Sequence, residues 1–444
     1  MDLEGVNETV IRAAKDAGAD ESASLMVVSD EVMTRFANDS LTVCKKIRGA
    51  SLFVYMTKNR SRIVGASSNP EVSAVERFVG ELYYSLVSLP KDPDFAELPA
   101  GARSYGSASA RRRKRLLSSE DEVPELSARA IEAARSAGAK RTAGALESSH
   151  LEVDILTSTG TRGHDEGSKL LLNVRAFGDG EASGHGLSCS STLREFDPER
   201  AGSLAGEHAK RMRNAKKPAE GEYQILMSPT VASNLISLMG SFASAFSVDA
   251  GTSYLAGKLG KKVASPAFSL RDHGRIEGAL NPRSFDDEGL PTQTTGIIEE
   301  GVLKNYLHNL TTAKKSHARS TGNAGWIQPS PWNLEVGAGD SSYEEMVSEI
   351  KNGIVLTSNW YTRFTNYRTG EFSTVPRDGA YLVKNGEVES PINGLRVSDT
   401  LERMFSSVQL MSKDREWIQW WEVDEPTLCP WVLVDGVRVT KAYG

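Results

Sequence analysis

A chain of 444 residues, 39% hydrophobic and 25% charged, has the size for two or three domains with substantial cores. A formal net charge of −6 excludes a strongly basic nucleic-acid binder, so nucleic acid is not an expected partner. Cys44, Cys189 and Cys429 are odd in number and far apart, which argues against a disulfide framework; with the acidic start MDLEGVNETV, lacking a signal peptide, they predict a cytoplasmic location.

The chain opens with a duplication. IRAAKDAGADES (11–22) is repeated as IEAARSAGAKRT (131–142), and each copy has the apolar spacing of a helix closed by a left-handed glycine, Gly18 or Gly138. Strand patterns follow at 24–28, 31–36, 41–46 and 50–56 in the first copy. In the second they fall at 142–147, 151–157 and 169–177. A helix opened by a proline ends each copy, Pro70 in one and Pro198 in the other. Their apolar stripes are Val72, Val75, Val79, Leu82 and Leu86, and Ala201, Leu204, Ala205, His208 and Met212.

This pattern predicts an α+β fold: a duplicated helix–sheet–helix N-terminal half and a strand-rich C-terminal domain with a few helices. The expected boundaries are a first unit at 1–98, a linker at 99–121, a second unit at 122–217 and the C-terminal domain at 218–444. The linker carries RRRKR, Arg111–Arg115, followed at once by SSEDE; a solvated loop is the expected reading.

Residues 223–248 carry no charge, but Pro229 and seven Ser or Asn side chains break the run, so a buried helix is expected and not a membrane span. Ser228 and Pro229 open that helix, and Val231, Leu235, Leu238, Phe242 and Phe246 form its stripe. Strands then dominate, with hairpin turns expected at Glu300-Gly301, Asn385-Gly386 and Asp435-Gly436 and helices near 342–351 and 398–411. All seven tryptophans lie between Trp326 and Trp431; adjacent Trp420 and Trp421 cannot both face inward along one strand.

Familiar catalytic motifs fail on inspection. GTSYLAGKL (251–259) has the wrong glycine spacing for a phosphate loop, and Leu259 stands where a magnesium-binding hydroxyl is needed. No Gly-x-Ser-x-Gly elbow occurs. No two histidines have zinc-protease spacing; His164, His185 and Cys189 are the residues an unusual metal site would use.

The most distinctive stretch is SFDDEGLPTQTTGIIEEGVLKNYL, preceded by SPAFSLRDHG and followed by STGNAGW at 320–326. With GTSYLAGKLGKKVASP upstream and the terminal PTLCPWVLVDGVRV, it resembles the TldD/PmbA family over nearly the whole chain. The resemblance implies two branches. TldD-type subunits are zinc peptidases with a His-Glu-x-x-x-His helix and a downstream cysteine; PmbA subunits, also called TldE, lack that site and pair with TldD. Here the register places the metal motif at Ile236, Ser237 and Ser241, and residues 223–248 contain no His, Asp, Glu or Cys. LMSKDREWIQWWEV, where the family cysteine would fall, has none.

The resemblance therefore implies a PmbA/TldE-type subunit with no catalytic residue and no metal of its own. Its expected partners are a TldD-like zinc-bearing subunit and a peptide substrate, with a homodimer where that subunit is absent. An autonomous metallopeptidase and a regulatory modulator of DNA gyrase are the alternatives. Asp286, Asp287 and Glu288 are expected to shape a turn before Gly289 and Pro291 by accepting backbone donors. They are also, with Ser320, Thr321 and Asn323, the candidates for the wall of a peptide cleft, whose strand edge is expected in the hairpins after 292.

Overall fold

The computed structural model describes residues 2–101, 105, 116–117 and 121–442. Arg111–Arg115 lie outside the described residues.

Each N-terminal repeat is a helix, an antiparallel sheet and a second helix. The first comprises α1 (Leu3–Ala17), β1 (Glu21–Ala37), β2 (Ser40–Lys58), β3 (Ser61–Ser67) and α2 (Val72–Leu86). The second comprises α3 (Glu122–Ser136), β4 (Arg141–Thr157), β5 (Arg162–Phe177), β6 (Ser183–Ser190) and α4 (Pro198–Arg211). The two share one six-stranded sheet in the order β3-β2-β1-β4-β5-β6, joined where β1 and β4 pair antiparallel from Ala23↔Thr157 to Ala37↔Ala143. Gly18 (φ 100°) and Gly138 (φ 114°) take the left-handed conformation that ends α1 and leads out of α3.

The strands are longer than their sequence pattern indicates. The segments 24–28 and 31–36 are both parts of β1, 41–46 and 50–56 of β2, and 142–147 and 151–157 of β4. Polar residues such as Ser29 and Ser149 look like breaks, yet here they belong to one unbroken ladder. Asn38-Asp39 and Asn59-Arg60, all at positive φ, close the two hairpins that flank β2. Pro70 lies two residues before α2, whose N-cap is Glu71, and Val72 is exposed. Pro198 does open α4.

All four helices pack on one face of this sheet. Val6 and Val10 of α1 with Val75 and Val79 of α2 cover Met26 and Val54; Ala130 and Ala134 of α3 with Ala201 and Ala205 of α4 join the core over Leu172 and Val174. Small residues let α4 approach closely on two sides. A Cβ on Gly206 would stand 2.3 Å from the Ala134 carbonyl oxygen, and one on Gly186 of β6 would stand 2.0 Å from that of Ala201.

The C-terminal domain contains β7 (Gly221–Met227), α5 (Pro229–Phe242), α6 (Ala245–Asp249), β8 (Leu270–His273), β9 (Thr294–Glu299), β10 (Val302–Leu303), α7 (Leu310–Lys315), β11 (Leu334–Val336) and α8 (Tyr343–Ser348). It continues with β12 (Asn352–Leu356), β13 (Asn359–Asn366), β14 (Glu371–Pro376), β15 (Ala380–Lys384), β16 (Glu387–Pro391), β17 (Leu395–Thr400), α9 (Leu401–Ser406), β18 (Val408–Trp420) and β19 (Val423–Lys441). β19 is the axis of a 13-stranded sheet, pairing with β7, β11, β17 and β18. Glu300-Gly301 and Asn385-Gly386 make the expected hairpin turns. Asp435-Gly436 does not: it lies inside β19, where the register with β7 shifts between Val434 and Val437. The uncharged run 223–248 divides into β7, α5 and α6; Leu235, Ile236 and Met239 are buried in the main core, whereas Phe246 is exposed. No helix among the described residues is long and apolar enough to cross a membrane.

The C-terminal domain meets the helix-free face of the six-stranded sheet at two places. At one, Phe285 and Trp326 pack on Leu25, Tyr55 and Ile155, with Trp326 stacked on Tyr55 at 5.1 Å between ring centroids. At the other, Trp420 and Ile418 pack on Leu187, and Trp420 lies 4.7 Å from the His185 ring.

Replacing Gly206 with valine is expected to force α3 and α4 apart, at a cost of about 1–3 kcal/mol. Urea denaturation should show a lower midpoint with an unchanged slope.

Candidate functional site

The helix α5 carries the positions where the family resemblance puts a metal motif. Ile236 is fully buried in the core. The Ser237 hydroxyl accepts a hydrogen bond from the Glu425 backbone N–H at 3.1 Å, and the Ser241 hydroxyl donates to the Ser237 carbonyl at 3.2 Å. One turn earlier, Asn234 donates to the Glu422 carbonyl and accepts from Asn359 (2.8 Å) and Thr362 (2.5 Å). The hairpin joining β18 to β19 is thus fastened to α5 by short neutral side chains. The Glu422 carboxylate completes the clamp by accepting the Tyr361 N–H at 2.8 Å.

A catalytic zinc takes about three ligands from His, Asp, Glu or Cys and leaves one position for water. An isoleucine and two serine hydroxyls do not meet that requirement, so these positions do not fit the ion. Among the described residues no three His, Cys, Asp or Glu side chains come together as a metal would need. The alternative set is also dispersed. His164 lies between Asp154 and Glu166; His185 bonds Ser358 and Asn173; Cys189 donates to the Gln419 carbonyl. His164 pairs with Asp154 near the start of β5, while His185 and Cys189 pair with Arg175 and Leu171 at its other end. Cys429 is buried in β19, where burial pushes its thiol up to about 12.

The three consecutive carboxylates organise a turn. Asp286, fully buried, accepts the backbone N–H groups of Glu288 (3.1 Å), Leu290 (2.8 Å) and Ala324 (3.1 Å). Asp287 pairs with Arg283 at 3.3 Å. Glu288 accepts the Leu310 N–H at 2.8 Å, at the first residue of α7. Gly289 (φ 77°) closes the turn, and its carbonyl accepts the Tyr105 hydroxyl at 3.0 Å. Burial outweighs the donors and raises all three acids, Asp286 to about 7.

Ser320, Thr321 and Asn323 lie close by, and each is engaged. The hydroxyls of Ser320 and Thr321 donate to the His308 carbonyl, both at 3.2 Å. Asn323 donates to Asp272 at 2.6 Å and to the Ser330 carbonyl at 3.0 Å. Asp272 also accepts the Trp332 and Asn333 N–H groups, and burial pushes it up to about 6. The structure therefore gathers the six cleft candidates, four of them buried and Asp287 and Ser320 half-buried, around Asp272, which the sequence reading did not single out. Its place in LRDHG gives no signal beyond a turn; its role depends on partners about 50 residues away. Tyr105, assigned to the linker, was missed for the same reason.

These features define a class: two-domain proteins in which a duplicated α+β half is covered by a β-rich domain built around the uncharged helix α5. Residues 220–441, half of the chain, match the family model described as the PmbA/TldA metallopeptidase C-terminal domain, and residues 113–213 match the corresponding central domain. The chain belongs to the PmbA/TldD family. A metalloprotease of Methanocaldococcus jannaschii is 32% identical over 222 residues, covering 48% of each chain. Metalloprotease PmbA of Escherichia coli O157:H7 is 27% identical over 311 residues, covering 67% of this chain and 66% of the relative. The chain spans less than two thirds of the length of these curated relatives.

The solved structures match end to end. A Thermotoga maritima protein described as a modulator of DNA gyrase has a TM-score of 0.86 and 25% identity, covering 98% of this chain and all of that one. TldE from Thermococcus kodakarensis has a TM-score of 0.88 at 20% identity, with 98% and 100% coverage, a likeness of fold.

Asp286→Ala would leave three buried N–H groups without an acceptor and is expected to cost on the order of 3 kcal/mol, read as a lower midpoint in urea. His164 gives a pH signature. Its bond to Asp154, followed by that to Glu166, holds it up at about 9 against an ordinary value of 6.5. The stability it contributes is fully present below about pH 6.5 and is lost as the pH rises through about 9. His164→Gln should therefore be less stable than the parent near pH 6, with the gap closing by about pH 10 in thermal melts.

Proposed function

We propose that this chain is the non-catalytic, PmbA/TldE-type subunit of a cytosolic metallopeptidase complex that processes peptides. Zinc and the activated water belong to a TldD-like partner; this chain closes the chamber, positions the peptide and stabilises the active subunit. The observation carrying this reading is the neutral clamp on α5. Where an active relative needs ligands and a general base, Ile236, Ser237 and Ser241 supply one buried alkyl group and two hydroxyls. The metalloprotease names of the relatives support the peptidase context. In this role the partner interface is large and durable, with a homodimer forming when the zinc subunit is absent.

The test is co-expression with a TldD-type chain, followed by peptidase assays of the complex and of each part. The complex should co-purify and hydrolyse peptides in a chelator-sensitive way, and this chain alone should carry no stoichiometric zinc and cleave nothing. Chelator-sensitive hydrolysis by the isolated chain would overturn the assignment.

A further inference from the structure

Between the two contacts that join the domains, the helix-free face of the six-stranded sheet is left partly open. Its floor is built by alternate residues of three adjacent strands: Glu31, Met33 and Arg35 of β1, then Ala145, Glu147 and Ser149 of β4, with Lys169 and Leu171 of β5 beyond. Two cavities lie on this floor, of about 230 Å3 beneath Leu280–Arg283 and about 720 Å3 beneath the β18–β19 hairpin. Glu147 and Lys169 line both, so the two are parts of one groove. The floor runs along β4 from Ala145 to Val153, on the order of 26 Å at about 3.3 Å per residue. That is the reach of about eight residues of extended chain.

The groove has unspent polar groups. At one end Arg283, nine-tenths buried, has an Nε with no acceptor, and at the other the buried Trp420 has an unpartnered Nε1. Both are N–H donors of the kind a peptide carbonyl satisfies. Trp421, half exposed, adds an apolar wall beside Trp420. In the middle Glu31 and Glu147 are diagonal neighbours on adjacent strands, and among the described residues neither carboxylate accepts a hydrogen bond. The nearby ammonium of Lys169 is held by the Gln419 side chain at 3.0 Å. Two carboxylates therefore share the ammonium of Lys169, which a neutral group already holds, and the floor's other cation, Arg35, stands beyond Met33, opposite Ala145.

We infer that this groove receives an extended peptide segment and seats a lysine or arginine side chain on Glu31 and Glu147. The inference rests on the peptide-handling reading above and adds to it the place and the preferred side chain. The acidic pair supplies selectivity; the unpartnered donors and Trp421 supply binding that does not depend on sequence.

The test uses the purified chain alone and fluorescently labelled peptides of about ten Ser and Val residues with a central Lys, Ala or Glu. Anisotropy should show the Lys peptide binding about tenfold tighter than the Ala peptide, with the Glu peptide weakest. Glu31→Gln/Glu147→Gln should abolish the discrimination while leaving Ala-peptide binding in place. Trp421→Ala should weaken all three peptides alike. Failure to bind any of the three, equal binding of all three by the parent chain, or retained Lys preference in the double variant would overturn the inference. So would undiminished binding by Trp421→Ala. The comparison of peptides on the parent chain needs no variant to fold. Because it needs neither metal nor partner, its failure is distinguishable from failure of the complex to assemble.

Discussion

Helices cover only one face of the six-stranded sheet, and the other must be met by something else. β1 and β4, paired at its centre, are flanked on both sides by further strands, so neither their edges nor their helix-side residues are free for a second domain. The C-terminal domain fastens itself across the remaining face with two aromatic contacts, Trp326 on Tyr55 and Trp420 beside His185. Large rings suit this task, because each buries much area from a single backbone position. Domain arrangement, the buried acidic turn and the groove all follow from how that face is covered. The Asp286 turn is held rigid because Phe285, the residue before it, is itself one of the anchoring rings.

The contact between α5 and the β18–β19 hairpin is made by short neutral side chains. Serine and asparagine satisfy backbone groups at close range and need no counter-charge. The hairpin therefore sits directly on the helix, where charged ligands would require an ion between them. Beneath it, Asn359, Thr362 and Thr374 extend the neutral network, with the Asn359 amide donating to Asn234 and to both threonine hydroxyls. Such a network is stable only when its members are nearly all satisfied.

Much of this was legible in the sequence, for definite reasons. The repeat at 11–22 and 131–142 exposed the duplication because its glycines, Gly18 and Gly138, have a conformational duty that few residues can perform. The capping Ser228 and Pro229 marked the start of α5 for a similar reason. Strand lengths were harder, since Ser29 and Ser149 are polar in the middle of strands whose outer face meets a groove and not a core. The acids at 286–288 could be read as a turn, because an Asp accepting N–H groups two and four residues on is a local event. The partnership of Asp272 with Asn323 was not legible, because its residues are brought together only by the tertiary fold. Asp435-Gly436 misled because a bulge and a hairpin turn call for the same residues.

The uneven pairing of β2 has one more outcome. β3 engages only Leu52–Lys58, and among the described residues no other strand pairs with the outer side of Ser40–Ser51, where Val43 and Ile47 are exposed. A bare strand of this length invites an identical strand to add to it. Lys45, Lys46 and Arg48 occupy the same short stretch, so two molecules approaching edge to edge would crowd cations together. The arm thereby discourages stacking into fibres.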